Sequence, residues 1–245
     1  MTETWRPDLA YVFDQGYGFH AADCAPGILR LLAPVRERGG LVLEIGCGSG
    51  LLTKLLVAAG HRVIATDAAP AMLELARAAA PEAEEIRRLV LPDDPVPAVD
   101  AIVGVGHALN YLPDLAAVQR GLGALAGALR PGGLLAVDLC DLEWGTAREG
   151  AVAVGQGRVG DDWAIITRFS RPSPDRFERD LTTFVRQPDG SYRRDDEHHG
   201  NVLVDTAAVP ALLLGHGVTA RIGDSFDDPG HPLPVGLKSV LGVAG

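Results

Sequence analysis

Residues 41–50 read LVLEIGCGSG, an apolar run that closes on an acid, followed by glycines at 46, 48 and 50. Leu41, Val42, Leu43, Glu44 and Ile45 suit a short buried strand, because β-branched and other apolar side chains fit a covered pleated surface. Gly46, Gly48 and Gly50 take the chain through a tight turn that a Cβ would resist. The following LLTKLLVAAG sets Leu51, Leu52, Leu55 and Leu56 on one helical face and stops at Gly60. A strand, a glycine turn and a helix start in that order bring backbone close to a ligand at the head of a strand.

Outward from this unit the same alternation repeats. RVIAT (62–66) reads as a second strand ending at Asp67, and PAMLELARAAAPEA as a helix opened by Pro70. A weak strand near RRLVL (87–91) precedes VDAIVGVG (99–106), and residues 114–133 give a helix stopped by glycine and proline before the strand LLAVDLC (134–140). Near-continuous apolar strands alternating with helices predict an α/β fold, a doubly wound and mostly parallel sheet covered on both faces. Right-handed crossovers put the strand C-termini on one edge, where ligands bind. Beyond Cys140 the polar and apolar residues alternate, with turn signals at RPSPD and QPDG, which predicts an antiparallel β insert after the fifth strand. A helix around DTAAVPALLLGHG, started or interrupted by Pro210, and two strands close the chain. The expected division is a helical lid over 1–40, a cofactor-binding core over 41–140, a substrate-side insert over 141–204, and closing elements of the core sheet over 205–245.

A length of 245 residues with 47% hydrophobic content fits one globular unit with a sizeable core. The net charge of −10 disfavours attraction to nucleic-acid phosphates or to an anionic membrane. The eight arginines between Arg158 and Glu197 are offset by nine acids and read as solvated strand faces. Cys24, Cys47 and Cys140 are too few and too far apart for a disulfide framework or a zinc site, so no metal is expected and the compartment reads as reducing. The N-terminal segment lacks a basic region before an apolar core, and no run reaches transmembrane length, so a cytoplasmic protein is expected. The aromatics Trp5, Tyr11, Phe13, Tyr17 and Phe19 ahead of the first strand either cover a pocket or join the core, and composition leaves both open.

The spacing of the glycine turn separates two ligand classes. Dinucleotides favour G-x-G-x-x-G, with pyrophosphate at the helix N-terminus. Here the spacing is G-x-G-x-G, preceded by Glu44, a carboxylate that would face a phosphate badly but suits an ammonium. With Asp67 standing 21 residues beyond Gly46 and LRPGGLLAVDL running into the fifth strand, the chain resembles the class I S-adenosylmethionine-dependent methyltransferases. The resemblance covers roughly residues 10–140 and implies a seven-stranded Rossmann-like methyltransferase fold with S-adenosyl-L-methionine as cofactor.

The resemblance carries roles onto matching positions. Gly46, Cys47 and Gly48 approach the cofactor through backbone, and Gly50 allows close packing. Glu44 organises the methionine end, Asp67 takes the ribose hydroxyls, and Ala68 and Met72 flank the adenine. Asp67 also stands where a helix cap would. No acid aligns after the third strand to read the adenine amino group, since Asp93 and Asp94 are out of place, so backbone around Leu89 and Val90 is expected to substitute. His107, after the fourth strand, is a candidate general base, because an imidazole titrates near working pH; it also borders the cofactor and could simply line the turn. Of the adjacent His198 and His199 at most one can face the pocket, since neighbours on a strand point oppositely. Tyr11 or Tyr17 is the candidate cofactor cover, as in amino-sugar and secondary-metabolite members. The expected activity is methyl transfer to an amine or hydroxyl of a small molecule, with no nucleic-acid or membrane partner and a homodimer left open. The alternatives are a non-catalytic S-adenosylmethionine-binding regulator and an NAD-dependent oxidoreductase, whose longer glycine spacing is absent. A base-modifying amine methyltransferase would show a D/N-P-P-Y/F tetrad after the fourth strand, which this chain lacks.

Overall fold

In the computed structural model, residues 4–148 and 155–245 are described. Two helices, α1 (Pro7–Gly16) and α2 (Phe19–Glu37), precede β1 (Leu41–Ile45), α3 (Leu51–Ala58), β2 (Arg62–Asp67), α4 (Pro70–Ala79), β3 (Glu85–Arg88) and β4 (Val99–Gly104). A 3-10 turn at Ala108–Tyr111 leads to α5 (Leu115–Ala128), β5 (Leu129–Cys140) and the short α6 (Leu142–Ala147). Four strands follow: β6 (Gln156–Val159), β7 (Trp163–Ser173), β8 (Arg176–Arg186) and β9 (Tyr192–Val202). The chain closes with α7 (Val209–Leu214), β10 (Val218–Gly223) and β11 (Leu237–Ala244).

The main sheet has seven strands in the order β10-β11-β5-β4-β1-β2-β3. β1 pairs in parallel with β2 and β4, β2 with β3, and β4 with β5, whereas β11 runs antiparallel to both β5 and β10. Successive side chains of a strand alternate between faces, and the two cores show it. Val42 joins Ile28, Leu32, Leu52 and Leu56 beneath α2 and α3, while Leu43 joins Val118, Leu122, Leu125 and Leu213 beneath α5 and α7. The insert forms its own four-stranded antiparallel sheet, β6-β7-β8-β9. One of its faces is covered by α1, whose Leu9 and Val12 pack with Trp163, Ile165, Leu181 and Val185.

Two local departures from the sequence pattern have physical causes. α2 begins at Phe19 and carries Pro26 and Pro34 inside it, where helix propensity disfavours proline. A proline removes one backbone donor, and burial of Cys24, Ala25, Ile28 and Leu32 against the core offsets the loss. β5 begins at Leu129, before RPGG. The pairing with β4 shifts between Val99 and Ala101, so RPGG bulges within the strand and the ladder resumes at Leu134.

Asn110 ties three of these pieces together. Its Nδ2 donates to the carbonyls of Cys140 (3.2 Å) and Val202 (2.5 Å), and its Oδ1 accepts from the Cys140 amide at 2.9 Å. The loop after β4, the end of β5 and the end of β9 thus share one fully buried amide. Asn110→Ala takes this partner from the Cys140 amide and the Val202 carbonyl, while the Cys140 carbonyl keeps the Val204 amide at 3.0 Å, and is expected to destabilise the chain by about 2–4 kcal/mol. Urea unfolding followed by circular dichroism measures this, and a loss below half a kcal/mol would mean that the three segments hold together without it.

Candidate active site

The C-terminal ends of β1, β2 and β4 open onto one cavity of about 1530 Å³, lined by the glycine turn, Asp67–Met72, Leu89–Asp93 and Val105–Leu109 on the sheet side. Trp5, Tyr17, His20, Trp144, Arg148 and Arg179 complete it from above. The turn has the left-handed backbone that glycine permits: φ is +61° at Gly46 and +85° at Gly50. A Cβ on Gly46 would stand 2.5 Å from the Ala108 Cβ, and one on Gly50 would stand 2.8 Å from the Ala76 Cα of α4. A Cβ on Gly48 would meet no atom within 4 Å, which leaves its backbone open to a ligand. Cys47 anchors the turn by donating its amide to the Thr66 carbonyl at 2.9 Å.

Asp67 serves the turn before it serves any ligand. Its Oδ2 accepts from the Gly48 amide at 2.9 Å and its Oδ1 from the Ala69 amide at 2.8 Å. Burial pushes its carboxyl above the ordinary range, against those amide bonds. Glu44 is deeper still, 2% exposed, and among the described residues its side chain bonds only Thr53, whose hydroxyl donates to Oε2 at 2.7 Å. Burial pushes Glu44 up to about 8, with Thr53 opposing and Asp67 reinforcing. Both carboxyls line the cavity with Ala68 and Met72 between them and Leu89.

Several expectations need correction. Leu89 and Val90 line the cavity, but their amides are already used, Leu89 donating to the Asp67 carbonyl (3.1 Å) and Val90 to Asp94 Oδ2 (2.7 Å). They offer an apolar wall and carbonyls, the acceptor type that the expected contact to an adenine amino group requires. Tyr11 does not reach the cavity; its hydroxyl donates to Asp162 at 2.7 Å on the insert. Tyr17 does line it, stacked on Phe13 with centroids 4.3 Å apart, and burial pushes its phenol up. His198 and His199 point oppositely, as strand geometry requires. His198 sits at the rim with its imidazole exposed and bonded to Asp180 at 2.9 Å. His199 is fully buried, bonds Glu197 at 2.9 Å and packs against Trp5 and Tyr111 behind the wall.

His107 lies between the two ends of the cavity, its ring 5.8 Å from Tyr111 and 5.6 Å from Trp144 between centroids. Burial drives its pKa down to about 3, and the cationic Arg179, His20 and Arg148 act the same way against Asp138. The imidazole is therefore neutral at working pH. Three partners escaped the sequence reading. Asp138 accepts from the amides of Gly106 (2.9 Å) and His107 (2.6 Å) and bonds His20 Nε2 at 3.1 Å. His20 comes from α2, within the region assigned to a lid. Arg179, counted among the solvated arginines, instead turns inward and donates to the Tyr111 hydroxyl.

The cavity lies across the head of a mostly parallel α/β sheet, where folds of this kind take their ligands. A methyltransferase-domain family model matches residues 42–133. A methyltransferase of uncharacterized function from Mycobacterium tuberculosis is 36% identical over 181 residues, covering 69% of this chain and 68% of that protein. Among solved structures, an S-adenosylmethionine-dependent methyltransferase from Clostridium acetobutylicum superposes with a TM-score of 0.78 at 16% identity, covering 96% of this chain and 97% of that one. A sugar N-methyltransferase from Streptoalloteichus sp gives 0.74 at 20% identity, covering 96% and 92%. The chain belongs to the methyltransferase family, and its cofactor is S-adenosylmethionine. The residues fit that group: a buried acid with a single partner, Glu44, suits its ammonium, and the open backbone at Gly48 leaves room beside it.

Glu44 makes this fit measurable. Its folded pKa of about 8 keeps it largely protonated at neutral pH, and an ammonium beside it favours the carboxylate. Binding of S-adenosylhomocysteine at pH 7 is expected to release close to one proton, and affinity should rise with pH towards 8. Calorimetry in buffers of different ionisation enthalpy reads the proton count. Glu44→Gln should abolish the release, and a release that persists in that variant would remove Glu44 from the methionine end.

Proposed function

We propose that the protein methylates an amine or hydroxyl of a small molecule. The observation that carries this reading is one roofed cavity, which runs from the glycine turn and Asp67 to Trp144, Arg148 and Arg179 beneath α1 and the insert. Its size suits a cofactor plus a compact acceptor. The net charge of −10 argues against a nucleic-acid acceptor, and the shared fold of a sugar N-methyltransferase supports a small one. In this reading residues 1–40 and 141–204 are the substrate-side cover, and residues 41–140 and 205–245 the cofactor-bearing core.

S-adenosylmethionine would supply an electrophilic methyl group on a sulfonium, whose carbon the acceptor's lone pair attacks in line as the neutral thioether leaves and the acceptor's proton passes to solvent. The chain's part is positioning. Gly46, Cys47 and Gly48 present backbone, Glu44 takes the ammonium, and the free lone pairs of Asp67 take ribose hydroxyls. Ala68, Met72 and Leu89 flank the adenine, and Tyr17 covers it. His107 orients the acceptor as a neutral hydrogen-bonding group; a general base would need a pKa nearer working pH.

Two variants test these roles. Asp67→Ala is expected to weaken S-adenosylhomocysteine by about 1–3 kcal/mol through lost charge-assisted bonds; unchanged affinity in a calorimetric titration would sink the ribose assignment. His107→Ala should keep cofactor affinity and slow turnover roughly tenfold, with no new inflection in the rate between about pH 5 and 8. A fall of roughly 10²-fold or more, with loss of a wild-type inflection, would instead make His107 the base. A chain that binds cofactor yet turns over no amine or hydroxyl acceptor would return the protein to a regulatory, non-catalytic role.

A further inference from the structure

We propose that the acceptor molecule carries a carboxylate or phosphate group, held by Arg179 and Arg148 on either side of His107. This rests on the methyltransferase reading above for the ligand's being the acceptor. Both arginines line the cavity, and both lie over an aromatic ring that neighbours His107. The Arg179 guanidinium stands 5.6 Å from the centroid of Tyr111, and that of Arg148 stands 3.1 Å from the centroid of Trp144. The two rings are the Tyr111 and Trp144 that approach the His107 imidazole. An anion between the guanidiniums would therefore lie beside His107, where the acceptor has to be.

The partners of these arginines are all neutral. Arg179 Nη2 donates to the Tyr111 hydroxyl and to Asn201 Oδ1 at 3.3 Å, and its buried Nε finds no partner among the described residues. Arg148 Nη1 donates to the carbonyls of Trp144 (3.3 Å) and Val235 (3.0 Å). Exposed arginines on the same chain, such as Arg62 and Arg130, pair with carboxylates. Among the described residues no carboxylate lies within ion-pair distance of Arg148 or Arg179. Asp138, which faces the same region, already accepts two amides and His20.

Two like charges taken partly out of water and left without a counter-ion are costly. A guanidinium has five N–H donors in a planar fork that matches the oxygens of a carboxylate or phosphate, and Arg179 leaves Nε and Nη1 unused among the described residues. The arrangement is that of a cation site completed by its ligand. It also selects: a neutral analogue of the acceptor would leave both charges uncompensated, so the site discriminates for the anion.

The test uses the full chain saturated with S-adenosylhomocysteine and titrated with pyrophosphate and, separately, with citrate. Trp144, under Arg148, reports through its fluorescence. At least one anion is expected to bind, with Arg179→Met and Arg148→Gln each weakening it roughly tenfold or more while S-adenosylhomocysteine affinity stays unchanged. Tighter pyrophosphate identifies a phosphate-bearing acceptor, and tighter citrate a carboxylate-bearing one. If neither anion binds at millimolar concentration, or if both variants bind it as the wild type does, the proposal is overturned while the cofactor reading stands. If the anions bind through the arginines but S-adenosylhomocysteine does not bind at all, the anion site stands and the methyltransferase reading fails. The Arg148 variant, near the surface end of the cavity, keeps the test sound should Arg179→Met fold poorly.

Discussion

The carboxylate of Asp138 is the constraint from which the site's geometry follows. It is 1% exposed and stands near the end of β5, facing the loop that leaves β4. That loop turns through left-handed backbone at Gly106 (φ +96°) and at His107 (φ +51°), the latter an uncommon conformation for a side-chain-bearing residue. Strain of this kind costs on the order of 1–3 kcal/mol and persists only where the surroundings fix it. Asp138 fixes it by accepting both amides at the turn, and the same carboxylate reaches up to His20 on α2. Burial opposes a charge on His20, but the hydrogen bond to Asp138 and the contact with Cys24 outweigh it and hold the pKa up to about 10. Since that value lies above the ordinary 6.5, the pairing stabilises fully below about pH 6.5 and is lost as pH rises through about 10.

The cover of the cavity is built in the same way, from acids that accept backbone. Glu197 on β9 receives the amides of Trp5 (2.6 Å) and Arg6 (2.9 Å) and also bonds His199. Arg6 returns to Asp195, Tyr11 to Asp162, and Arg193 on β9 pairs with Asp8 of α1. α1 is thus joined to the insert along its length, while Ala10 packs with Ala69 and Met72 of the cofactor side. The first helix contacts both the insert and α4, which explains why residues so early in the chain, such as Trp5, Phe13 and Tyr17, line the cavity.

How much of this the sequence disclosed depends on the range of the interaction. The sheet was legible because its signals are local: an apolar run, a glycine turn and an amphipathic helix each lie within about ten residues. The cavity lining at the head of the sheet was legible for the same reason, Glu44, Gly46, Gly48 and Asp67 lying within two adjacent strand-turn-helix units. The far end of the cavity was not. Asp138 sat inside an apolar strand with nothing to distinguish it, and its partners lie 31 and 118 residues away. Arg179 was one arginine of eight in a charge-balanced stretch, and only the pairing of β8 with β9 turns it towards Tyr111. Tyr11 and Tyr17 look equivalent in sequence, yet lie six residues apart, α1 ending between them, and so face different neighbours. The one available clue was that an acid within four residues of a sheet edge that binds ligands is rarely idle.

Gly46 and Ala108 touch back to back, and the closeness is possible only because one of them has no side chain. The loop that would cradle the methyl donor and the loop that presents His107 therefore share a single reference point instead of being set independently by their own strands. A donor held by the first loop and an acceptor held beside His107 would both be placed from that one contact.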